Sequence, residues 1–267
     1  MQVTANGLVI KEKVLSNDNR LLTILTEEYG IVHAFVKSVK KLGGTMAAST
    51  DLFAYSSFVL FLNKEQYSVN HAETNRIFYH LRDDLEKTSL ASYFSQLAEE
   101  LAPQGEEAGE YLKLFLNCLH LLEQKKRTVD FIKPVFELRI MTLSGYMPDL
   151  VGCQGCGEYD PKEVFFLPAT GTLLCSACSG GAAPKDGIPL TKAQLAAMRH
   201  IIYSESARLF QFKMSEQGLQ NLGGITEFYL KVQLEKEFPA LDFYHSVRKM
   251  TQSFEQLGQK NAQELHR

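Results

Sequence analysis

A chain of 267 residues, 45% hydrophobic and 22% charged, is long enough for two or three modules and has the balance of an ordinary globular protein. The net charge of −3 carries no global basic signature, so any nucleic-acid surface must be a local patch. No stretch approaches the run of about 20 apolar residues that a membrane helix needs, and Met1 to Ile10 lacks the pattern of a signal peptide, so a soluble cytosolic protein with no membrane partner is expected.

The first eighty residues read as short strands. Gly7 to Val14 ends at the turn cluster Ser16-Asn17-Asp18-Asn19, and Arg20 to Thr26 is followed by a turn at Glu27 to Gly30 and by Ile31 to Val39. After an open stretch, Tyr55 to Leu62 and Gln66 to Ala72 flank the turn Asn63-Lys64-Glu65. Five strands without a long helix between them predict a small closed barrel or a sandwich, of which an OB-like barrel is one member.

From Arg82 the period becomes helical. Leu85, Leu90, Phe94, Leu97 and Leu101 fall on one stripe, with Asp83, Asp84 and Glu86 in the first turns, where carboxylates complement the helix dipole. Pro103-Gln104-Gly105 breaks this helix. A second is predicted over Glu106 to Lys126, and a third from Val129 to Ser144, stopped by Gly145 and Pro148. Thr191 caps a helix through Tyr203, and another is predicted from Ile225 to Phe238. Ser206 to Met214 is ambiguous, and the tail from Gln252 reads as polar and frayed. The expected fold class is α+β: a closed barrel or sandwich (1–80), which the family resemblance given below makes an OB-like β-barrel, an α-helical domain (81–150 and 187–250), an inserted zinc-ribbon-like module (151–186) and a polar tail (251–267).

Cys153-Gln-Gly-Cys156 is followed after eighteen residues by Cys175-Ser-Ala-Cys178, the C-x2-C…C-x2-C spacing of a zinc site. Two cysteines three apart, turning over a permissive glycine, can aim both thiolates at one cation. Val164 to Leu167 and Gly171 to Leu174 suit a hairpin between the two turns, which gives a zinc-ribbon layout. Four thiolates close the coordination sphere of one Zn2+, so the ion is expected to be structural rather than catalytic. The fifth cysteine, Cys118, lies in the apolar run LKLFLNCLHLL and reads as a buried thiol.

Catalytic signatures are weak. His71-Ala72-Glu73 looks like half of a zinc-deaminase pattern, but Gly152 rather than Pro precedes Cys153, and eighty residues separate the halves. No phosphate-cradling glycine motif and no nucleophile elbow occurs. The chain is expected not to be an enzyme.

Binding signals lie upstream. Residues 1–50 carry six Lys/Arg against four Asp/Glu, whereas 81–150 carry eight against twelve. Lys11, Lys13, Arg20, Lys37, Lys40 and Lys41 are interleaved with Tyr29, Phe35, Phe53 and Tyr55, a mixture suited to phosphates and to stacking on unpaired bases. The same residues also suit a barrel core with a solvated face.

The segments Gly7-Leu-Val-Ile-Lys, Asn17-Asp-Asn-Arg20-Leu-Leu-Thr-Ile-Leu-Thr-Glu and Phe136-Glu-Leu-Arg-Ile-Met-Thr-Leu-Ser-Gly-Tyr-Met-Pro-Asp-Leu-Val-Gly-Cys153 resemble the RecO family of recombination and repair mediators over roughly residues 1–250. The resemblance implies an N-terminal OB-fold, a helical domain and a zinc-ribbon-like insertion. It also implies a bacterial, nucleoid-associated protein that binds and anneals single- and double-stranded DNA. With RecR, such a protein helps RecA displace the single-strand-binding protein SSB, whose acidic C-terminal tail it contacts. By position, Arg20 and Lys37 match the family's basic residues, while Ser38 replaces a usual glycine. Lys133 and Arg139 on the third helix are the candidates for the SSB tail. An adaptor that works through protein partners without touching DNA is the alternative.

Overall fold

The computed structural model describes residues 1–15, 19–37, 44–64 and 66–265, and the chain divides into two compact units, Met1–Gln124 with Phe238–Arg267, and Lys125–Glu237. Lys40, Lys41 and the turn Ser16-Asn17-Asp18 lie outside the described residues.

In the first unit, β1 (Gln2–Val14), β2 (Arg20–Thr26), β3 (Gly30–Val36), β4 (Ala54–Asn63) and β5 (Gln66–Ile77) close into a barrel of order β1-β2-β3-β5-β4. A short helix, α1 (Gly44–Ser49), precedes β4. All neighbours are antiparallel except β3 and β5, which meet in parallel at Ala34↔Tyr67 and Phe35↔Ser68. Alternation places Val3, Ala5, Val9, Leu22, Ile24, Val32, Ala34, Val36, Phe58, Leu60 and Ala72 in one buried cluster. A bulge between Val9 and Lys11 re-aims β1 along its length. Gly30, at φ 62°, ends the β2–β3 hairpin against Pro103, whose carbonyl accepts from Ile31 N at 2.8 Å.

The helices of this unit are α2 (Leu85–Leu101), α3 (Gly109–Glu123) and α7 (Pro239–Leu265). Asp84 caps α2 by accepting from Lys87 N, so the helix starts three residues after the predicted Arg82. Leu90, Phe94 and Leu97 from α2, Phe115, Leu119 and Leu122 from α3, and Leu241, Tyr244 and Val247 from α7 are all buried. Cys118 is fully buried and its thiol is pushed well up by burial, as befits an inert core sulfur.

The second unit holds α4 (Val129–Leu143), α5 (Lys192–Tyr203) and α6 (Glu216–Leu234) with a sheet of β6 (Asp149–Cys153), β7 (Val164–Leu167), β8 (Thr172–Cys175) and β9 (Ile188–Leu190), in the order β6-β8-β7-β9. The expected hairpin is present as β7–β8, paired from Val164↔Cys175 to Leu167↔Thr172. Nearly every residue from Phe131 to Met141 of α4 is buried, which makes α4 the central helix of the unit.

Three predicted boundaries move. Residues 81–150 and 187–250 do not form one helical domain: α2, α3 and α7 belong with the barrel, and α4 to α6 with the cysteine sheet. Helix α6 begins at Glu216 with Ser215 as its cap, nine residues before Ile225, because Gly218, Gly223 and Gly224 lie inside it and mask its periodicity. It stops at Glu235, held in the left-handed conformation at φ 51°. The chain then enters α7 through Pro239, so the segment read as a frayed tail continues a helix.

Candidate metal centre and nucleic-acid interface

Cys153 and Cys175 end two parallel-paired strands, β6 and β8, and each is followed by a tight turn that carries its second cysteine back. Cys153 O accepts from Gly157 N at 2.8 Å, and Cys175 O accepts from Ser179 N at 3.0 Å. Gly155 has no room for a side chain, because a Cβ there would lie 2.9 Å from Cys178 Sγ. The four sulfurs lie within 4.8 Å of one another, and Cys156 Sγ is 3.8 Å from Cys175 Sγ. A tetrahedral ion with metal–sulfur bonds near 2.3 Å requires sulfur separations of about 3.8 Å, so the donor set fits a closed four-sulfur centre.

Backbone N–H groups support the sulfurs. Cys153 Sγ accepts from Gly155 N at 3.4 Å and from Cys175 N at 3.2 Å, and Cys175 Sγ accepts from Cys178 N at 3.4 Å. Burial raises the Cys153 thiol, but hydrogen bonds from Cys175, Cys156 and Gly155 outweigh it and bring it down to about 6. Cys178 is pushed up to about 12, chiefly because its proton is shared with the sulfurs of Cys175, Cys156 and Cys153. Without a cation the cluster holds protons unevenly; a bound metal is what allows all four to be thiolates. Cys153 and Cys175 are buried and Cys156 and Cys178 exposed, so the centre lies at the surface of its unit. His71 and Glu73 stand exposed on β5 in the other unit and take no part.

The barrel's register assembles a face that residue order alone does not reveal. Lys13 pairs with Leu21, Leu21 with Phe35, Phe35 with Ser68, Ser68 with Phe61, and Phe61 with Gln2. These positions form one row around the outside, where Leu21 and Phe35 are half-buried and Phe61 is exposed. Beside it runs Lys11–Thr23–His33, with Thr23 Oγ1 3.3 Å from His33 Nδ1. Lys37 follows β3 two residues after Phe35 and so shares its side. Lys13 and Lys37 are exposed and pair with no carboxylate among the described residues.

Two predicted cations are otherwise engaged. Lys11 is exposed but donates to both carboxylate oxygens of Glu99, at 2.8 and 3.0 Å. Arg20 is buried, and this corrects its expected place on the DNA surface. Its register partner is the inward-facing Val36, and it donates to Glu12 at 3.0 Å, Asp51 at 3.4 Å and Thr50 Oγ1, where it ties β2 to the segment before β4.

Of the four aromatics, Phe53 is core, Tyr29 packs against the barrel cluster, and Tyr55 lies near Glu27 and Glu28. Only Phe35 lies on the face with Lys13. Leu21 and Phe61 escape sequence reasoning, because an apolar run such as Leu60-Phe61-Leu62 does not declare which member faces out.

The third helix also needs correction. Lys133 is only 4% exposed and donates to Glu137 at 2.8 Å, Glu227 at 2.9 Å and Gly223 O at 3.4 Å. Burial pushes its ammonium down, but the two carboxylates outweigh that and hold it charged. It cannot present a basic edge to a peptide. Arg139 donates through Nη1 to the carbonyls of Ile201 and Ile202, at 3.3 and 3.0 Å, in the last turn of α5. Those carbonyls lack helical partners, and a cation suits that end of the dipole. Its first role is to cap α5.

Among the described residues no helix is long and apolar enough to cross a membrane. Two family models match the chain: "Recombination protein O N terminal" over residues 1–78 and "Recombination protein O C terminal" over residues 82–242. Their junction falls at the short 3-10 turn Tyr79–Leu81 that follows the barrel. The DNA repair protein RecO of Acetivibrio thermocellus is 31% identical over 242 residues, which is 91% of this chain and 96% of that protein. Those of Alkaliphilus metalliredigens and Dehalococcoides mccartyi are 27% and 24% identical, over 88% and 90% of this chain and 95% and 94% of theirs. With both its barrel and its helical and cysteine-bearing portion matched, this chain belongs to the RecO family and has a role in DNA repair.

Proposed function

We propose that this chain is a non-enzymatic recombination mediator that binds single- and double-stranded DNA on the outside of its barrel. It anneals complementary strands there and, with RecR, helps RecA load onto DNA coated by SSB, whose acidic tail it contacts. The observation that carries this reading is the row Lys13–Leu21–Phe35–Ser68–Phe61 with Lys37 beside it. It offers cations that pair with no carboxylate among the described residues, next to apolar and aromatic surface, the pairing that lets a small barrel track a phosphate backbone while bases stack. Association with the nucleoid follows from such binding. The metal is one Zn2+ held by Cys153, Cys156, Cys175 and Cys178, since four soft thiolates in tetrahedral array select zinc and leave no open position for a substrate.

Fluorescence anisotropy with labelled single-stranded and duplex DNA over a salt series tests the reading. Binding that falls steeply with salt, together with faster annealing of complementary strands, is expected. Absence of binding at low salt would overturn the DNA-binding role and leave the protein-only adaptor.

A further inference from the structure

Helix α5 carries a second arrangement of aromatic and cationic side chains, in the other unit. Lys192, Ala196, Arg199 and Tyr203 recur at spacings of four, three and four and so share one face of the helix. Ala196 is exposed, and Tyr203 is 49% exposed. Arg199 lies over the ring of Tyr159, 3.9 Å from its centroid. Its Nε donates to Leu150 O at 2.7 Å, and its Nη2 to Val151 O at 3.1 Å and Tyr159 O at 2.7 Å. The same guanidinium therefore fixes both the backbone and the ring of Tyr159. Lys192 reaches Asp160, the next residue, at 2.8 Å across an exposed pair.

Two features of this site point to a ligand. Arg199 is held by three neutral carbonyls and by no carboxylate among the described residues, so its full charge remains for an anion. Tyr159 is 61% exposed while the guanidinium lies over its ring. A ring locked in place and half uncovered is a stacking platform that loses little side-chain freedom when it binds.

The donor pattern decides the class of ligand. A peptide carboxylate binds arginine best through a two-pronged contact, but Nε and Nη2 are already committed, and among the described residues only Nη1 has no acceptor. One remaining donor beside exposed aromatic rings suits a phosphate oxygen flanked by unpaired bases. We infer that the Tyr159–Arg199–Tyr203 surface is a second contact for single-stranded DNA, with Tyr159 and Tyr203 stacking on bases and Arg199 facing phosphate. The inference rests on the reading that this chain binds single strands.

Photocross-linking of the full-length protein to a bromodeoxyuridine-substituted oligonucleotide, with adducts mapped by mass spectrometry, tests it. Adducts at Tyr159 or Tyr203 are expected. Tyr159→Ala/Tyr203→Ala should weaken single-strand binding about tenfold or more, since each stacked base is worth about 1–3 kcal/mol. Metal content and melting temperature serve as controls. If Tyr159→Ala disturbs the loop, Tyr203→Ala alone should still weaken binding about fivefold or more. Adducts confined to barrel peptides with unchanged affinity in these variants would overturn this inference and leave the barrel reading intact. Loss of binding to an Asp/Glu-rich peptide but not to DNA would also overturn it, and make the surface a protein contact. If the unaltered protein binds no single strand at all, both readings fall together.

Discussion

The barrel and the cysteine sheet hold themselves together by different means. The barrel has strands of 13, 7, 7, 10 and 12 residues that close on one another around a continuous apolar cluster. The cysteine sheet has strands of five, four, four and three residues, and its buried apolar side chains are few: Leu150, Val164, Phe166, Leu173 and Leu190. So small a sheet cannot bury enough surface to fix its own loops, and the sulfur cluster supplies what the core lacks. The difference separates scaffold from surface. Where burial holds the fold, the outer face is available for ligands; where the proposed metal would hold it, the cysteines are committed to structure.

Chelation or Cys175→Ser should break this symmetry most strongly. Structural zinc contributes on the order of 10 kcal/mol in small modules, so the second unit should lose its cysteine sheet while the barrel's far-ultraviolet strand signal persists. Hydrogen exchange resolved by peptide would check it; equal exposure of β1 to β5 would show that the barrel depends on the metal too.

Lys133→Met probes the inside of the second unit. It leaves Glu137, which is fully buried, without its counter-charge, and a cost of about 3–5 kcal/mol is expected in chemical unfolding. A loss below about 1 kcal/mol would mean that Glu137 accommodates as a neutral acid.

Arg20→Met is the counterpart in the barrel. Its partners Glu12 and Asp51 are partly solvated, so about 1–3 kcal/mol is expected, with DNA affinity unchanged per folded molecule. A selective loss of DNA binding would return Arg20 to the interface. The exposed Lys11–Glu99 pair should matter least: Glu99→Gln is expected to change stability by no more than about 1 kcal/mol.

How much of this the sequence discloses depends on how local each feature is. The cysteine spacing and the β7–β8 hairpin are set within some twenty-five residues and could be read directly. The OB-like barrel followed from strand count and resemblance, but its outer row joins residues up to sixty apart through register, which no local pattern carries. Lys133 reads from the sequence as a candidate for the SSB tail, yet it is buried against Glu137. The signal against that reading was available, because Lys133 lies among Phe131, Ile132, Val135 and Phe136, an apolar run that buries this part of the helix. Helix α7 was hidden by the polar run from Gln252, although Tyr244 and Val247 already have helical spacing. Pairing partners across the fold, such as Arg20 with Asp51 and Lys11 with Glu99, are set by tertiary structure alone.

The central claim is that the barrel's outer face binds DNA through Lys13 and Lys37 while the metal centre serves as scaffold. The salt dependence of single-strand affinity for Lys13→Gln/Lys37→Gln against the unaltered protein tests it most directly. With two phosphate contacts removed, affinity should fall at least tenfold at low salt, and the log–log salt slope should drop by about 1.4. Identical affinity and slope in the two proteins would contradict it.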